Sequence, residues 1–176
     1  MRKSKTVNPM KIGIISDTHD NLPMVEKAVK KLNEEKVELV LHAGDYVSPF
    51  TIPKFKALNM KFIGVFGNND GDHEFLKKRF SECPNCEIRE RFAEVNVEGF
   101  KIALLHGDET ELLNALINCG GFDAVVHGHS HANVTRKNGK TLIVNPGEVC
   151  AYLTGKATIA LLDTTKREAK IVELDI

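Results

Sequence analysis

A short apolar run that ends in closely spaced histidines constrains this chain more than any other stretch. Residues 122–126 are mostly apolar, and they lead directly into the segment HGHSH at residues 127–131. His129 and His131 are one residue apart and follow a glycine, so their imidazole nitrogens can point toward one place. The stretch therefore indicates a metal site. Histidine pairs also occur in loops without any ligand, so the remaining ligands must be found elsewhere in the chain.

Four further apolar runs end in residues of the same chemical types. Residues 10–16 lead into Asp17 and His19, residues 37–42 into Asp45, residues 61–66 into Asn68, and residues 101–105 into His106. Each of these polar residues has a structural explanation on its own. Aspartate caps helices, asparagine occupies turns, and a histidine can be buried in a core with its hydrogen bonds made. Five strand ends that all carry metal-ligand types are not explained in this way. In open α/β sheets, ligands bind outside the carboxyl ends of the strands.

The first half of the chain alternates strand and helix patterns. Residues 22–32 predict a helix, because Pro23 suits its first turn and apolar residues recur at helical spacing. The strand, helix, strand order implies a right-handed parallel crossover. Residues 53–58 and 73–80 predict two more helices on either side of the strand at residues 61–66.

The second half has a more antiparallel character. Apolar and polar residues alternate over residues 91–97, and Gly99 separates this stretch from residues 101–105. This pattern is typical of a hairpin. Asp108 and Glu111 have the spacing of a capping box, which predicts that Asp108 caps the next helix. Further strands are predicted at residues 123–127, 133–137, 141–144, 158–163 and 168–174. The prediction is one α/β domain over residues 10–176, with two mixed sheets stacked between outer helices.

Composition limits the partners and the location. Lys plus Arg and Asp plus Glu are both 24, so the formal net charge gives no reason to expect strong general nucleic-acid binding. No apolar stretch approaches the roughly 20 residues that would span a bilayer. Residues 1–9 form a short basic extension without a hydrophobic region, which does not resemble a secretory signal. We therefore expect a cytoplasmic protein with no membrane partner.

The four cysteines leave three interpretations open. Cys83 and Cys86 form a C-x-x-C motif, which occurs in redox sites, in halves of zinc sites and in simple turns. A zinc site would need a second pair, whereas Cys119 and Cys150 stand alone. A thioredoxin-like motif would open a helix after a strand, and this one does not. A turn with two adjacent thiols is the favoured interpretation.

The ligand set favours two metal ions. The seven candidates, Asp17, His19, Asp45, Asn68, His106, His129 and His131, are too many for one tetrahedral ion. They suit two ions about 3.5–4 Å apart that share a carboxylate. Imidazole, carboxylate and amide oxygen without thiolate favour a first-row divalent metal. Manganese or nickel is the first expectation, with iron, cobalt and zinc as alternatives.

The order of these motifs resembles that of the calcineurin-like metallophosphoesterases. The matching segments are Asp17-Thr18-His19, Gly44-Asp45, Gly67-Asn68-Asn69-Asp70, His106-Gly107 and Gly128-His129-Ser130-His131. The small size and Asn145-Pro146-Gly147 after the last motif resemble the compact bacterial and archaeal phosphodiesterase branch. The family's fold, two stacked sheets flanked by helices, agrees with the strand pattern.

The resemblance implies a role for each ligand. Asp17, His19 and His131 would hold the first ion, and Asn68, His106 and His129 the second, with Asp45 bridging the two. Attack on phosphorus by a hydroxide shared between the ions would need no side-chain nucleophile. Asp45, Asn68 and His129 would act in catalysis through that hydroxide, with Asn69 and Asp70 as supporting residues.

Two positions depart from the family pattern. Many relatives have histidine where this chain has Asn69, and an amide cannot donate a proton as a general acid. We therefore expect good leaving groups such as phenolates to be favoured over alkoxides. His73 is a candidate substitute donor, although a solvated histidine at a helix start is the simpler interpretation. Asp108 replaces a histidine found after His-Gly in some relatives.

Several other residues lie near these motifs. His42 and His127 precede the motif glycines and are expected to support the ligands or the core rather than bind metal. Glu148 is expected to face the substrate.

Three functions follow from the resemblance. The first is a phosphodiesterase acting on a small phosphodiester, with nucleotide-like molecules among the candidates. The second is a catalytically weak scaffold of the same fold, as in the retromer coat, and the third is a sensor that binds nucleotides without turnover. A homodimer formed through strand edges is an open alternative to a monomer.

Overall fold

A computed structural model of the protein describes residues 10–176, so the predicted extension at residues 1–9 lies outside the described residues. The strands, in chain order, are β1 (Lys11–Ile15), β2 (Leu39–His42), β3 (Lys61–Gly64), β4 (Cys86–Ile88), β5 (Phe92–Val97), β6 (Phe100–Leu105), β7 (Ala124–Val126), β8 (Val134–Asn138), β9 (Thr141–Asn145), β10 (Ala157–Asp163) and β11 (Glu168–Leu174). The helices are α1 (Leu22–Glu34), α2 (His73–Ser81) and α3 (Thr110–Asn118), with a 3-10 helix at Ile52–Ala57.

The strands form two mixed sheets. The first has the order β11-β10-β1-β2-β3-β4, in which β1 to β4 are parallel to one another, β10 is antiparallel to β1, and β11 is antiparallel to β10. The second has the order β5-β6-β7-β9-β8, in which β6, β7 and β9 are parallel and the outer strands are antiparallel. Two stacked mixed sheets flanked by helices were predicted from the sequence, and that fold class is confirmed.

Three apolar layers hold the sheets and helices together. Alternate residues of a strand face the same side, and Ile12 and Ile14 of β1 therefore both pack into the layer between the sheets, against Leu104 and Val126. A second layer lies between the first sheet and the helices α1 and α2. A third, smaller layer lies between the second sheet and α3. The order of layers is helix, sheet, sheet, helix.

The amphipathic face of α1 explains how the second layer forms. Its buried residues are Met24, Val25, Ala28, Val29 and Leu32, spaced three or four apart along one side of the helix. Asn21 accepts a hydrogen bond from the backbone N–H of Met24 and caps the first turn. This fixes the start of α1 directly after the polar segment that follows β1.

Local structure differs from the sequence prediction at three places. Residues 53–58 were predicted as a helix, and the structure has a 3-10 helix there. The capping role predicted for Asp108 is wrong: α3 has Glu109 at its N-cap position without a side-chain bond, and the carboxylate of Asp108 pairs with Arg91. The C-x-x-C motif forms a disulfide between Cys83 and Cys86, in the turn between α2 and β4.

None of the helices within residues 10–176 is both long enough and apolar enough to cross a membrane.

Tyr46 provides a test of the packing in the helix-covered layer. Its ring is fully buried, stacks on His42 at 4.0 Å between ring centres and meets Phe80 edge-on, and its hydroxyl has no hydrogen-bond partner among residues 10–176. A buried hydroxyl without a partner loses its hydration on folding. We expect Tyr46→Phe to raise the free energy of unfolding by about 1 kcal/mol, as measured by urea denaturation.

The exposed tyrosine is the matched control for this measurement. Tyr152→Phe removes a hydroxyl from a side chain that is 62% exposed, so it should change stability by less than about 0.5 kcal/mol. Destabilisation of the Tyr46→Phe variant would contradict the packing described here, because it would mean that the hydroxyl makes a favourable bond.

Candidate metal centre

The predicted ligands lie at the carboxyl ends of strands from both sheets. The first sheet contributes Asp17 and His19 after β1, Asp45 after β2 and Asn68 after β3, and the second contributes His106 after β6 and His129 and His131 after β7. The two sheets are stacked, so these ends meet at one edge of the molecule. Distances between the side chains show which residues the fold brings together.

One group of ligand atoms surrounds Asp17. Its Oδ1 lies 3.4 Å from Nε2 of His131 and 3.6 Å from Nε2 of His19. The two imidazole rings stack with their centres 5.1 Å apart. The carboxylate is fully buried. These three residues were predicted to hold one ion, and the structure places their ligand atoms within 4.8 Å of one another.

A second group surrounds Asp45. Its Oδ2 lies 3.4 Å from Nε2 of His19 and 3.3 Å from Nε2 of His106. The carboxylate is 1% exposed and lies between imidazoles that the sequence assigned to different ions. That is the location expected of a carboxylate shared by two ions. Asp17, Asp45 and His106 also have ligand atoms within 4.8 Å of one another.

The remaining two predicted ligands contact each other at the open side of the centre. Nδ1 of His129 lies 3.0 Å from Oδ1 of Asn68, and both residues are exposed. The backbone N–H of His129 donates to Oδ2 of Asp17 at 3.1 Å, and its ring centre is 5.1 Å from that of His106. All seven predicted ligands therefore belong to one connected cluster.

The backbone reaches this arrangement through left-handed conformations. Five of the seven candidate ligands have positive φ angles: Asp17 (53°), His19 (39°), Asp45 (63°), His129 (66°) and His131 (58°). Each such conformation costs a non-glycine residue on the order of 1 kcal/mol. Hydrogen bonds across the sheet oppose this cost, since Asp17 N donates to Gly44 O at 3.0 Å and His19 N donates to Asp45 O at 3.1 Å. Strain of this kind clusters at functional sites.

Gly128 permits the close approach of the second sheet to the first. A Cβ atom at this position would lie 1.9 Å from Oγ of Ser16 and 2.6 Å from Oδ2 of Asp17. Neither distance is tolerable for a side chain, so only glycine lets the backbone before His129 contact the buried carboxylate. The motif glycine is therefore required by packing between the two sheets.

Asn69 and Asp70, predicted as supporting residues, both contact Asp45. Asn69 donates to the two carboxylate oxygens of Asp45, from its backbone N–H at 2.9 Å and from its side-chain amide at 2.8 Å. Asp70 accepts bonds from the backbone N–H groups of Asp45, Tyr46, Val47 and Gly67. Asn69 thus orients the carboxylate, and Asp70 fixes the loop that carries it.

Hydrogen bonds to the far ring nitrogens orient two imidazoles. Nδ1 of His106 lies 2.8 Å from the carbonyl of Ala43, and Nδ1 of His131 lies 2.6 Å from Oε2 of Glu148. A carbonyl or carboxylate can only accept, so Nδ1 carries the proton in both rings and Nε2 faces the buried aspartates. This is the pattern that holds histidine ligands in metal sites.

The buried charges shift the pKa values in the centre. Burial alone would raise the pKa of Asp45, but His106 and the donors from Asn69 outweigh it and hold that pKa well below its usual range. Burial lowers the pKa of His106, and the carboxylate of Asp45 more than reverses the effect, so the net change is upward. The carboxylate of Asp17 raises the pKa of His19. The centre is therefore strongly attractive to positive charge.

The atoms without partners test whether a metal fits this cluster. Asp17 Oδ1, His19 Nε2 and His106 Nε2 are buried and have no hydrogen-bond partner among residues 10–176. Buried polar atoms are normally satisfied, so three orphaned ligand atoms within one cluster call for an explanation. Carboxylate oxygen and imidazole nitrogen are suitable ligands for first-row divalent metals. The residues present fit such ions.

Three further histidines, His42, His73 and His127, were singled out beside the motifs. His42 is fully buried, accepts a bond from the backbone N–H of Gly44 at 3.0 Å, and has its pKa held well below the usual value by burial. Burial also lowers the pKa of His127. His73 begins α2 and stacks on Phe66 with ring centres 4.0 Å apart.

Glu148 is the residue whose environment the sequence prediction missed. It was expected to face the substrate, but its side chain is fully buried and contacts His131 instead. The donors around the carboxylate hold its pKa at about 2 despite the opposing effect of burial. Its neighbour Cys150 is also buried, and burial and the adjacent carboxylate raise the pKa of that thiol to about 12.

Comparison with known proteins finds phosphodiesterases and probable metallophosphoesterases. A phosphodiesterase of Methanocaldococcus jannaschii is 42% identical over 166 residues, which cover 94% of this chain and 100% of that protein. A probable metallophosphoesterase of Methanothermobacter thermautotrophicus is 31% identical, over 93% of this chain and 92% of that protein. A solved structure described as that of a novel archaeal phosphodiesterase is 42% identical, with a TM-score of 0.89 and coverage of 94% of this chain and 100% of the other.

The sequence profile of the calcineurin-like phosphoesterase superfamily domain matches residues 10–167. That range contains all seven candidate ligands, from Asp17 to His131. The profile match and the identity to the two archaeal proteins extend over most of the chain. The chain therefore belongs to the calcineurin-like phosphoesterase superfamily.

Proposed function

We propose that this protein is a metal-dependent phosphodiesterase whose active site holds two divalent ions. The observation that carries the proposal is the position of Asp45, whose buried Oδ2 lies 3.4 Å from His19 and 3.3 Å from His106. One carboxylate between imidazoles from two sheets is what a pair of ions sharing a ligand requires.

The residues divide into two ligand sets. Asp17, His19 and His131 would hold one ion, and Asn68, His106 and His129 the other, with Asp45 contributing to both. Ions held in this way supply Lewis acidity toward phosphoryl oxygens and lower the pKa of water enough for it to react at neutral pH. We propose a first-row divalent ion as the native metal, because the ligands contain nitrogen and oxygen but no thiolate. Manganese and nickel are the first candidates to test, with iron, cobalt and zinc as alternatives.

The protein's own contribution is positioning. Asn69 orients the carboxylate of Asp45 through two hydrogen bonds, and Asp70 fixes the backbone beneath it through four. A rigid, prearranged set of ligands does not need to reorganise when charge develops on the phosphoryl group. The buried thiol of Cys150 does not compete as a nucleophile, because its pKa of about 12 keeps it protonated at neutral pH.

Charge favours a diester over a monoester. Among residues 10–176, the ligands and the groups that hydrogen-bond to them include the carboxylates of Asp17, Asp45, Asp70 and Glu148 but no lysine or arginine. A monoester dianion would bring a second negative charge that only the ions could offset, whereas a diester brings one. The 42% identical phosphodiesterase supports the same choice.

A nucleotide-like substrate, a homodimer and a cytoplasmic location stay predictions from the sequence. The scaffold and sensor alternatives become outcomes of the test below, since both would bind ligands without producing hydrolysis.

Removal of the shared carboxylate is the first test. Protein stripped with a chelator should hydrolyse bis-p-nitrophenyl phosphate only after Mn²⁺ or Ni²⁺ is returned, and faster than p-nitrophenyl phosphate. Asp45→Asn keeps the size of the side chain but removes its charge, so turnover should fall more than about a hundredfold. The release of nitrophenolate measures the metal-dependent rate of the wild-type protein and the rate of the Asp45→Asn variant.

The control is Asp175→Asn, which removes the same charge from an exposed residue near the chain end and should retain full activity. Absence of turnover with every metal tested, despite stoichiometric metal binding, would refute the enzyme and favour the scaffold.

The amide at position 69 generates a second prediction. Asn69 cannot protonate a leaving oxygen, so the wild-type protein should cleave aryl diesters much faster than alkyl diesters of similar size. Asn69→His introduces a group that can donate a proton but also replaces the amide that bonds Asp45, which affects both substrates, so the ratio of the alkyl rate to the aryl rate should rise by about tenfold or more. Parallel kinetics on a p-nitrophenyl and a methyl leaving group measure the difference. Equal wild-type rates on both substrates would contradict this prediction.

A further inference from the structure

The carboxylate of Glu148 is the most heavily hydrogen-bonded side chain near the metal centre. Although fully buried, it accepts bonds from six donors: His131 Nδ1 (2.6 Å), Cys150 Sγ (3.0 Å), Tyr152 N (3.2 Å), Leu153 N (3.0 Å), Thr154 N (2.6 Å) and Thr154 Oγ1 (2.7 Å). A carboxylate offers about four lone-pair positions, so these donors use its full accepting capacity.

The two oxygens contact different parts of the structure. Oε2 accepts from the imidazole of His131, and Oε1 accepts from the backbone and hydroxyl of Thr154. Oε2 also lies 3.2 Å from the backbone N–H of Tyr152. A single carboxylate thus joins a candidate metal ligand to residues 151–154, which we term the rim turn.

The rim turn lies beside the metal centre. The backbone N–H of Cys150 donates to the carbonyl of Asp17 at 3.1 Å, and the side-chain amide of Asn21 donates to the carbonyl of Cys150 at 2.8 Å. The segment before the rim turn is therefore bonded to the loop that carries the first ligands. Two side chains of the turn, Tyr152 (62%) and Leu153 (74%), are largely exposed.

We propose that Glu148 is a positioning residue of the metal centre, which fixes the imidazole of His131 with Nε2 toward Asp17 and holds the rim turn against the centre. The proposal rests on the proposed function only in requiring that the cluster binds divalent metal. Glu148 is not itself a ligand, because its oxygens are occupied by donors from the protein.

The physical basis is the contrast between a carboxylate and an amide. An ionised carboxylate accepts at both oxygens, and charge-assisted bonds of this kind are about twice as strong as neutral ones. In Glu148→Gln, whichever way the amide is turned, an NH₂ group faces donors instead of accepting from them. The variant loses either the bond to His131 or the bonds to Thr154, while its size is unchanged.

Metal titration of purified, chelator-stripped protein with Zn²⁺ tests the proposal without relying on catalysis. Because loss of a partner that orients a metal-binding histidine commonly weakens binding about 10–100-fold, we expect Glu148→Gln to raise the Kd for Zn²⁺ by that factor. Hydrogen exchange at the amides of residues 152–154 should accelerate in the same variant.

Two matched variants separate positioning from a purely local role. Thr154→Val removes one donor to Oε1 but leaves the bond to His131, so the rim turn should exchange faster while the Kd stays within about twofold of wild type. Glu173→Gln makes the same change at an exposed residue and should alter neither quantity. A Glu148→Gln variant with wild-type Zn²⁺ affinity would overturn the proposal.

A measurement on the wild-type protein covers the case in which Glu148→Gln fails to fold. Zn²⁺ is diamagnetic, so the ring nitrogens of the zinc-loaded protein can be observed by NMR, with the His131 signals identified by their absence from His131→Gln. The proposal requires the proton on Nδ1, and a proton on Nε2 instead would overturn it. Absence of diester hydrolysis together with the expected zinc and NMR results would refute the enzyme and leave the role of Glu148 standing.

Discussion

Two aspartate carboxylates buried at one edge of the stacked sheets are the constraint on which the rest of the centre depends. Asp17 is fully buried and Asp45 nearly so, and each lies within 3.6 Å of two imidazole nitrogens. Negative charge in such a location must be offset, because burial of an uncompensated carboxylate is prohibitively costly. The surrounding histidines and the amide of Asn69 supply part of that compensation, and the unpartnered Oδ1 of Asp17 is an acceptor that a cation would satisfy.

The same requirement explains the unusual backbone. The loops after β1, β2 and β7 turn sharply to aim their ligands inward, which they do through left-handed residues such as Asp17, Asp45 and His131. Hydrogen bonds between the loops then stabilise left-handed conformations that these residues would not adopt in isolation. Asp70 and Glu148 have parallel roles, since each is a buried carboxylate that gathers backbone N–H groups behind a ligand. The centre is thus supported by a second layer of anions.

The ligands were predictable from sequence because each follows a short apolar run, and the parallel topology brings the ends of such runs together. The strand β4 was not predictable from the sequence, because its three residues carry no periodic pattern. Asp108 was misassigned since its partner, Arg91, lies on a neighbouring strand connection rather than in the helix. The environment of Glu148 could not be read from spacing, because its partners are mostly backbone groups of a turn and one histidine 17 residues away.

The division of the ligands between the sheets bears on how the chain acquires its metal. Asp17 and the backbone of His129 are joined across 112 residues, and the ring of His106 is joined to Ala43 across 63. Contacts of such long sequence separation form late, because the loop-closure entropy must be offset first. A nascent chain that extends only through β1 to β4 holds four of the seven ligands and neither complete set. Ions bound by all seven ligands would therefore cross-link two layers that the apolar core between the sheets holds together.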